Sequence, residues 1–181
     1  MAAGFFIHNP SCFSIVAEAG EGVVGSCFLD ERNSIRGVAI VSVDPAAQGQ
    51  GVGRKLMEAL LERSRGSRGV RLVQFAFNTS SLALYASLGF EVKEPLLLMR
   101  GRPGSEALRD VEVRRMRSQD LNACGALCEK VHGFERTNEV RDWLQIFTPF
   151  VALRGNRVVW RMPQRPTSGR ATTVWQRRRT T

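Results

Sequence analysis

The sequence predicts an α/β fold of the α+β type, in which a mixed, mainly antiparallel central sheet is flanked by helices. Three observations predict it: short apolar runs joined by glycine-containing turns, an amphipathic helix whose apolar stripe needs a sheet to pack on, and one nearly continuous apolar run. The chain has 181 residues, 43% of them hydrophobic, which suits one domain of ordinary size or two incomplete ones.

Three antiparallel strands are expected at the start of the chain. Apolar runs cover Phe13 to Ala17 and Val23 to Leu29, and the glycines of Glu18 to Gly22 allow the positive φ angles of a tight hairpin. A polar turn over Asp30 to Ser34 leads into a third run, Val38 to Val43. This third strand ends where a glycine-rich segment begins.

A helix and a buried strand are expected after the glycines. One stripe of the helix carries apolar residues at i, i+4, i+7 and i+8, namely Val52, Leu56, Ala59 and Leu60. Gly66 to Gly69 ends this helix. The run Val70 to Phe77 is apolar almost throughout, as in a central strand covered on both faces. The later elements of this block are a short helix at Ser81 to Ser87, closed by Gly89, and strands at Phe90 to Val92 and Leu96 to Met99.

Composition divides the chain into four parts. We expect a first block over 1–100, a linker over 101–110, a second block over 111–160 and a basic, disordered tail over 161–181. The elements expected in the second block are a strand at Val111 to Met116, a helix from Ser118, a helix over Glu135 to Phe147, and a hairpin of Phe150 to Leu153 with Arg157 to Trp160.

Charge and cysteine content exclude several classes of protein. The net charge is +9, and the segment from Arg161 onward contains six arginines and no acidic residue; such tracts are typically solvated ends, so nucleic acid is not an expected partner. No apolar run approaches the roughly 20 residues that span a bilayer, and Met1 to Pro10 lacks the basic region of a signal peptide. We expect a cytoplasmic protein without a membrane partner. Four scattered cysteines do not form a disulfide framework.

The segment Val41 to Arg54 is the most informative part of the chain. It runs from a strand through a proline and three alternating glycines into the amphipathic helix. Glycines let backbone N–H groups approach an anion, and the helix adds its unsatisfied amides and the positive end of its dipole. The spacing of Gly49, Gly51 and Gly53 does not fit Gly-x-Gly-x-x-Gly, and Arg54 stands where a Walker loop has lysine.

Two motifs resemble those of a known family. Gln48, Gly51 and Gly53 satisfy the pattern Gln/Arg-x-x-Gly-x-Gly/Ala, which resembles the pyrophosphate loop of the GNAT superfamily of acetyl-CoA-dependent N-acetyltransferases. Further on, Asn78 is followed seven residues later by Tyr85 and then by Gly89-Phe90, which resembles the family's later motif. The order of the motifs, separated by one helix and one strand, also resembles that family.

The resemblance implies a set of cofactor contacts. In the family, two strands splay apart and expose backbone N–H groups to the pantetheine and acetyl group, which implies that role for Val41 to Val43, with the Val43 amide facing the oxyanion. Gly49 to Arg54 would hold the pyrophosphate of acetyl-CoA, and no metal is implied. The implied cofactor-binding residues are Val41, Ser42, Val43, Gln48, Gly49, Gln50, Gly51, Val52, Gly53, Arg54 and Asn78.

The catalytic groups are only partly implied. Tyr85, the one tyrosine in the chain, is the candidate general acid for the departing thiolate; the alternative is that it packs beside Leu84 and Leu88. The base is not identified, since neither Ser34 to Val43 nor Val70 to Phe77 contains an acidic residue. Either an ordered water carries the amine proton away, or an acid such as Glu18 or Asp30 reaches the site.

A metal site on the second block is not expected. Cys124, Cys128 and His132 stand at i, i+4 and i+8 on one helix face, but the outer two lie about 12 Å apart along the axis, too far for one ion. We expect these cysteines in the core.

Each block resembles part of a GNAT unit, and three arrangements stay open: a tandem protein cut short, a permuted single unit, and a homodimer with swapped elements. The expected function is acetyl transfer from acetyl-CoA to an amine of a small molecule or peptide by direct attack. The alternative is a weak or inactive acyl-CoA-binding protein with a sensor or structural role.

Overall fold

The computed structural model describes residues 2–95, 110–162 and 175–177. The chain divides into two compact units, one of Met1–Leu98 with Thr172–Thr181 and the other of Met99–Ala171. The elements, in chain order, are α1 (Ala2–His8), β1 (Cys12–Ala19), β2 (Gly22–Asp30), β3 (Ile35–Val43), α2 (Val52–Arg63), β4 (Gly69–Leu72), α3 (Thr79–Ser87), β5 (Glu91–Glu94), β6 (Glu112–Arg115), α4 (Leu121–His132), α5 (Thr137–Ile146), β7 (Phe150–Arg154), β8 (Arg157–Met162) and β9 (Trp175–Arg177).

The first unit is a six-stranded sheet in the order β1-β2-β3-β4-β9-β5. All neighbouring strands are antiparallel except β3 and β4, which run parallel. The expected fold class, a mixed and mainly antiparallel sheet with helices against it, is confirmed. The expected hairpin of the first two strands and the third strand before the glycines are confirmed as well.

Close packing between α2 and the sheet depends on a glycine in β2. A Cβ atom at Gly25 would stand 3.0 Å from Leu56 Cδ1, 3.1 Å from the Ser42 carbonyl oxygen and 3.2 Å from Val52 Cγ1. The helix therefore lies against the strands at a distance that only a residue without a side chain permits.

The buried stripe of α2 differs from the expectation at one position. Leu56 and Leu60 are buried as expected and Val52 is partly buried, but Ala59 is exposed and Met57 is fully buried instead. The apolar face continues to Leu61 and ends at the buried Ser64, whose hydroxyl donates to the Leu60 carbonyl at 2.8 Å. The buried face of α2 is therefore shifted by about one residue relative to the predicted face. Packing on the sheet sets the orientation of the helix about its own axis.

The expected strand over Val70 to Phe77 is wrong in its second half. β4 ends at Leu72, and the side chains of Phe75 and Phe77 are 49% and 80% exposed. An apolar run predicts burial only where a partner strand exists, and β4 loses its parallel partner after Leu72. The helix expected at Ser81 to Ser87 is confirmed as α3.

Two elements of the first unit were not predicted. The helix α1 brings Phe6 to 6.1 Å from Phe28, measured between ring centroids, and places Phe5 under the Arg32 guanidinium at 5.3 Å. The prediction of a featureless tail is wrong at Trp175–Arg177, which pairs as β9 with both β4 and β5. A strand of three residues is too short to show a period-two pattern in the sequence. The strand expected at Leu96 to Met99 lies outside the described residues.

The second unit contains the strand, two helices and hairpin expected from the sequence. β6, β7 and β8 form an antiparallel sheet, and Cys124 and Cys128 of α4 are buried against it. Asp120, just before α4, accepts hydrogen bonds from the Arg114 guanidinium at 2.8 Å and the Arg117 N–H at 2.7 Å. The bonds from Arg114 chiefly hold the pKa of Asp120 below its usual value. This carboxylate joins β6 to the start of the helical part.

The part of the chain that the structure describes contains neither a membrane-spanning helix nor a cluster of metal-ligating side chains. None of its helices has the length and apolar character required to cross a bilayer, and it contains no group of three histidine, cysteine or carboxylate side chains placed around one point.

We predict that Gly25→Val destabilises the first unit by about 1–3 kcal/mol, because the added methyl groups overlap Leu56, Val52 and the backbone of β3. The urea midpoint, followed by circular dichroism, measures the change. Gly22→Val is the matched control, since no atom lies within 4 Å of a Cβ at Gly22. Equal midpoints for the two variants would contradict the close-approach argument.

Candidate active site

The site is formed where two parallel strands separate. β3 and β4 are paired from Ile35 and Gly69 as far as Val38 and Leu72, and not beyond. At the same level β3 carries a bulge: Leu29 of β2 faces Val38, whereas Cys27 faces Val41, so β3 has one extra residue. A bulge bends its strand and increases its twist, which turns β3 away from β4.

The separation opens a cleft of about 260 Å³. Its lining residues come from β3, from the segment after β4 and from α3: Val38, Ala39, Ile40, Val41, Leu72, Val73, Gln74, Phe75, Asn78, Ser81 and Tyr85. The sequence-predicted residues Val41, Asn78 and Tyr85 are thereby brought to one cleft.

The direction of the β3 amides follows from the pairing with β2. The Asp44 N–H donates to the Val24 carbonyl at 2.8 Å, and Ser42 faces Ser26 in the same register. Successive N–H groups of a strand point to opposite edges, so the N–H groups of Val41 and Val43 point away from β2, to the edge that β4 has left. Three residues were expected to present backbone donors. The N–H groups of Val41 and Val43 point to the open edge, whereas the N–H group of Ser42 points toward β2.

The loop after β3 is held by its own side chains. Asp44 Oδ1 accepts from the Ala46 N–H at 2.8 Å, Gln48 Nε2 donates to the Val43 carbonyl at 3.2 Å, and Gln50 Nε2 donates to the Ala46 carbonyl at 2.9 Å. The two glutamines, predicted as cofactor contacts, thus shape the loop through its backbone. Their side-chain amides are engaged within the loop itself.

Two of the three loop glycines have left-handed backbone angles. Gly49 has φ of 78° and Gly51, at the start of α2, has φ of 83°, whereas Gly53 lies within the helix. No atom lies within 4 Å of a Cβ built at Gly49 or Gly51. The first turn of α2 contains no acidic residue, and no side chain caps it within this fully described loop. The loop therefore offers open space and helix N-terminal amides to an anion.

Arg54 links the glycine loop to α3. Its Nη2 donates to Ser87 Oγ at 2.7 Å, and its Nη1 lies 3.8 Å from Glu58. Leu84 of the same helix lies 3.6 Å from the Cβ position of Gly53. The C-terminal half of α3 thus packs beside the start of α2, which places Tyr85 and the loop in one part of the unit. Ser87 carries no motif signal and was not predicted.

Asn78 and Ser81 organise the start of α3. Asn78 Oδ1 accepts from the Ser81 N–H at 3.1 Å, so Asn78 caps this helix while it also lines the cleft. The Ser81 side chain forms a hydrogen bond with Tyr85 one turn later. Ser81 was missed by the sequence analysis, although the i, i+4 spacing to Tyr85 places the two on one helix face.

Tyr85 is buried and lies at the base of the cleft. Its ring meets Phe90 edge to face at a centroid distance of 6.0 Å. Burial raises the pKa of Tyr85 above its ordinary value of 10.0, and the neighbouring Cys27 raises it further, while the Ser81 bond opposes the shift. The phenol therefore stays protonated throughout the neutral range and into the alkaline range.

The two acids suggested as a base do not line the cleft. Asp30 is paired with Arg32, Oδ2 to Nη2 at 2.6 Å and Oδ1 to Nε at 2.8 Å, and Glu18 is exposed on β1. The described lining contains instead a polar group that the sequence analysis missed, Gln74. This glutamine stands within an apolar run, and only the early end of β4 brings it to the cleft.

Comparison with known proteins assigns this unit. Residues 10–92 match the family model described as the acetyltransferase (GNAT) domain. Residues 10–92, which are 83 of the 181 residues, are therefore similar to GNAT acetyltransferase domains. The family resemblance and the fold class stated from the sequence are both confirmed. The GNAT match ends at Val92, before the second unit begins.

Similar proteins match over short stretches of the chain. A mycothiol acetyltransferase of Nocardia farcinica is 46% identical over 63 residues, which are 34% of this chain and 21% of the relative. The N-alpha-acetyltransferase RimI of Mycobacterium tuberculosis is 46% identical over 54 residues, 30% of this chain and 34% of the relative. The chain thus spans about a fifth to a third of the length of these relatives.

One of the solved structures similar to this chain is a bacterial enzyme. The ribosomal-protein-S18-alanine N-acetyltransferase from Escherichia coli superposes with a TM-score of 0.48 and 24% identity, over 51% of this chain and 61% of that protein.

We predict that the tyrosine absorbance change titrates with a midpoint above about 10, because burial disfavours the phenolate. Tyr85 is the only tyrosine in the chain, so the absorbance change that accompanies phenol ionisation belongs to it alone, while the absorbance of the tryptophans does not titrate. The unfolded chain loses this proton first, so folding stability falls as the pH rises past about 10. Ser81→Ala removes the bond that opposes the shift and should move the midpoint upward. A midpoint at or below that of a free tyrosine would contradict the assigned environment.

Proposed function

We propose that this chain transfers the acetyl group of acetyl-CoA to a primary amine of a small molecule or peptide by direct attack. The observation that carries the proposal is the parting of β3 and β4, which turns the amides of Val41 and Val43 toward a cleft containing Tyr85. The glycine loop and the start of α2 follow immediately on β3. In this proposal the thioester site and the anion site are adjacent in the same unit.

The open edge of β3 suits the pantetheine arm. A strand edge with outward N–H and C=O groups binds an extended amide chain by the pairing used between strands. The loop from Gly49 to Arg54 would hold the diphosphate through helix N-terminal amides. In this placement the Val43 N–H faces the thioester carbonyl and stabilises the oxyanion that forms on attack.

The proposed reaction uses no acyl-enzyme. A neutral amine attacks the thioester carbonyl carbon, the C–N bond forms, and the C–S bond breaks to release the CoA thiolate. Tyr85 donates its phenolic proton to the thiolate, and the proton lost by the amine returns to the phenolate through solvent. Cys27 is the thiol beside Tyr85, but it is fully buried and burial raises its pKa to about 12, so it is not a competent nucleophile.

The acceptor class draws support from the relatives. One is named for mycothiol and the other for an N-alpha amine, which are a small molecule and a protein terminus respectively. An unbiased panel of small amines and peptides, assayed by release of the CoA thiol, tests this proposal.

A second candidate is an acyl-CoA-binding protein without significant catalysis. It is favoured by the absence of a carboxylate among the described residues that line the cleft. Calorimetry with acetyl-CoA tests binding, and the thiol-release assay separates the two candidates. Binding without thiol release over the whole panel would support the second and contradict transfer.

We predict that Gly51→Glu lowers the affinity for acetyl-CoA by at least about tenfold, or roughly 1.4 kcal/mol. The new carboxylate enters the open space of the loop and repels the diphosphate. Calorimetric titration with acetyl-CoA measures the change.

The control for this variant is Gly66→Glu. Gly66 has φ of 82°, close to the 83° of Gly51, and no atom lies near its Cβ position. It carries the same backbone strain and charge change in the turn after α2. Equal affinities for the two variants would rule out the glycine loop as the diphosphate site.

We predict that Tyr85→Phe lowers kcat by about 10²–10⁴, the usual contribution of a general acid, and leaves the calorimetric affinity for acetyl-CoA within about twofold. The substitution keeps the ring and its contact with Phe90. Steady-state kinetics and calorimetry on the same preparation check both values. Full activity in the variant would assign Tyr85 to packing.

A further inference from the structure

The cleft of the GNAT domain carries no charged side chain among the described residues that line it. Apart from Tyr85, its lining consists of aliphatic residues, Phe75 and three uncharged polar residues, Gln74, Asn78 and Ser81. Tyr85 has a raised pKa and is neutral at working pH. An ammonium ion entering this lining loses water and gains no opposite charge, which is costly.

Gln74 presents an acceptor that the described part of the protein leaves unsatisfied. Its Oε1 atom is enclosed by protein atoms and has no hydrogen-bond partner there. A buried carbonyl oxygen without a donor costs about 1–3 kcal/mol, so a turn of this side chain that brings its oxygen to a ligand N–H in the cleft is favourable. Gln74 lies just after β4 and lines the same cleft as Val41, whose N–H group points to the open edge where the proposed thioester would bind.

We propose that the acceptor is a weakly basic primary amine whose N–H group is held by the Gln74 side-chain oxygen. This inference rests on the proposed acetyl transfer and specifies its substrate class. An amide oxygen orients a neutral amine by accepting its N–H, but it does not take a proton at neutral pH. The proton released after C–N bond formation passes to water, and the thiolate receives its proton from Tyr85.

The selectivity follows from the fraction of amine that is neutral in solution. At pH 7.5 about one third of an amine with pKa near 7.8 is neutral, against about one in 800 for an amine with pKa near 10.4. The described lining of the cleft, which has no carboxylate, offers no group that would bind the charged form and remove its proton. The weakly basic amine therefore has an advantage of up to about 250-fold in available nucleophile, reduced by its lower intrinsic reactivity.

Phe75 guides the choice of probe. Its half-exposed ring lines the cleft and stacks on Phe77 at a centroid distance of 5.1 Å and an angle of 25°. A probe amine with a phenyl group can pack on this ring. We choose 2-phenylethylamine and its 2-fluoro and 2,2-difluoro derivatives, in which fluorine replaces hydrogen on the chain carbon that carries the phenyl group. The three amines are nearly equal in shape, and each fluorine lowers the pKa of the ammonium group.

The experiment measures kcat/KM for the three amines at pH 7 by thiol release. The expected result is a rise of about tenfold or more from the parent amine to the difluoro amine, because the gain in neutral fraction exceeds the loss in nucleophilicity. A value that stays level or falls as the amine becomes less basic would overturn the inference.

Two variants at position 74 test the role of the residue. Gln74→Glu places a carboxylate in nearly the same shape and should raise kcat/KM for the parent amine relative to the difluoro amine by about tenfold or more, since it binds the ammonium form and accepts its proton. Gln74→Leu removes the acceptor and should raise the amine KM by about tenfold for all three probes. Both should keep the wild-type calorimetric affinity for acetyl-CoA. Unchanged selectivity in Gln74→Glu with unchanged KM in Gln74→Leu would remove Gln74 from the site.

The outcomes separate this inference from the proposed function. If acetyl-CoA binds but no amine of the probes or of the wider panel releases thiol, the transfer itself is refuted, and the inference with it. If transfer occurs with the most basic amine preferred, transfer stands and only the substrate class proposed here is refuted.

Discussion

β3 cannot remain paired with β4 along its length, because one extra residue between Val38 and Val41 bends it away at the level where β4 ends. The cleft of the candidate site depends on this separation. It leaves the outward amides of β3 without the parallel neighbour that would otherwise take them, and it makes room for α3 to bring Tyr85 under the cleft. A continuous ladder through Phe77 would close the same space.

The close approach of α2 to the sheet is the second constraint. Gly25 lets the helix lie directly against β2 and β3, and this position fixes where the N-terminal amides of α2 emerge. The loop before the helix is braced from within, by Asp44, Gln48 and Gln50 bonding to its own backbone. Such a loop is ordered before any ligand arrives, which reduces the entropy that binding must overcome.

The chemistry of the cleft is set by burial more than by charge. Tyr85 and Cys27 are both kept in their neutral forms by desolvation. Of the two acids considered from the sequence, Asp30 is engaged by Arg32 and Glu18 is exposed on β1. The described lining therefore offers hydrogen bonds and an acid, but no carboxylate base. This combination is compatible with transfer to an amine that is already neutral. It is equally compatible with a protein that binds acyl-CoA without significant catalysis.

Local sequence determined those features whose cause lies within a few residues. The glycines of the loop, the helical character of α2 and the interval from Asn78 to Tyr85 each reflect a local requirement of backbone angle, periodicity or spacing, and each is found where the sequence places it. The hairpin of β1 and β2 and the elements of the second unit belong to the same class.

Tertiary structure decided what depends on a distant partner. The end of β4 at Leu72, the exposure of Phe75 and Phe77, the pairing of β9 and the enclosure of the Gln74 oxygen all follow from which strands meet and where they part. The sequence of an apolar run or of an arginine-rich tail does not show whether a neighbouring strand pairs with it in the fold. Residue type fixes what a position can do, whereas long-range pairing determines which atoms remain available to do it.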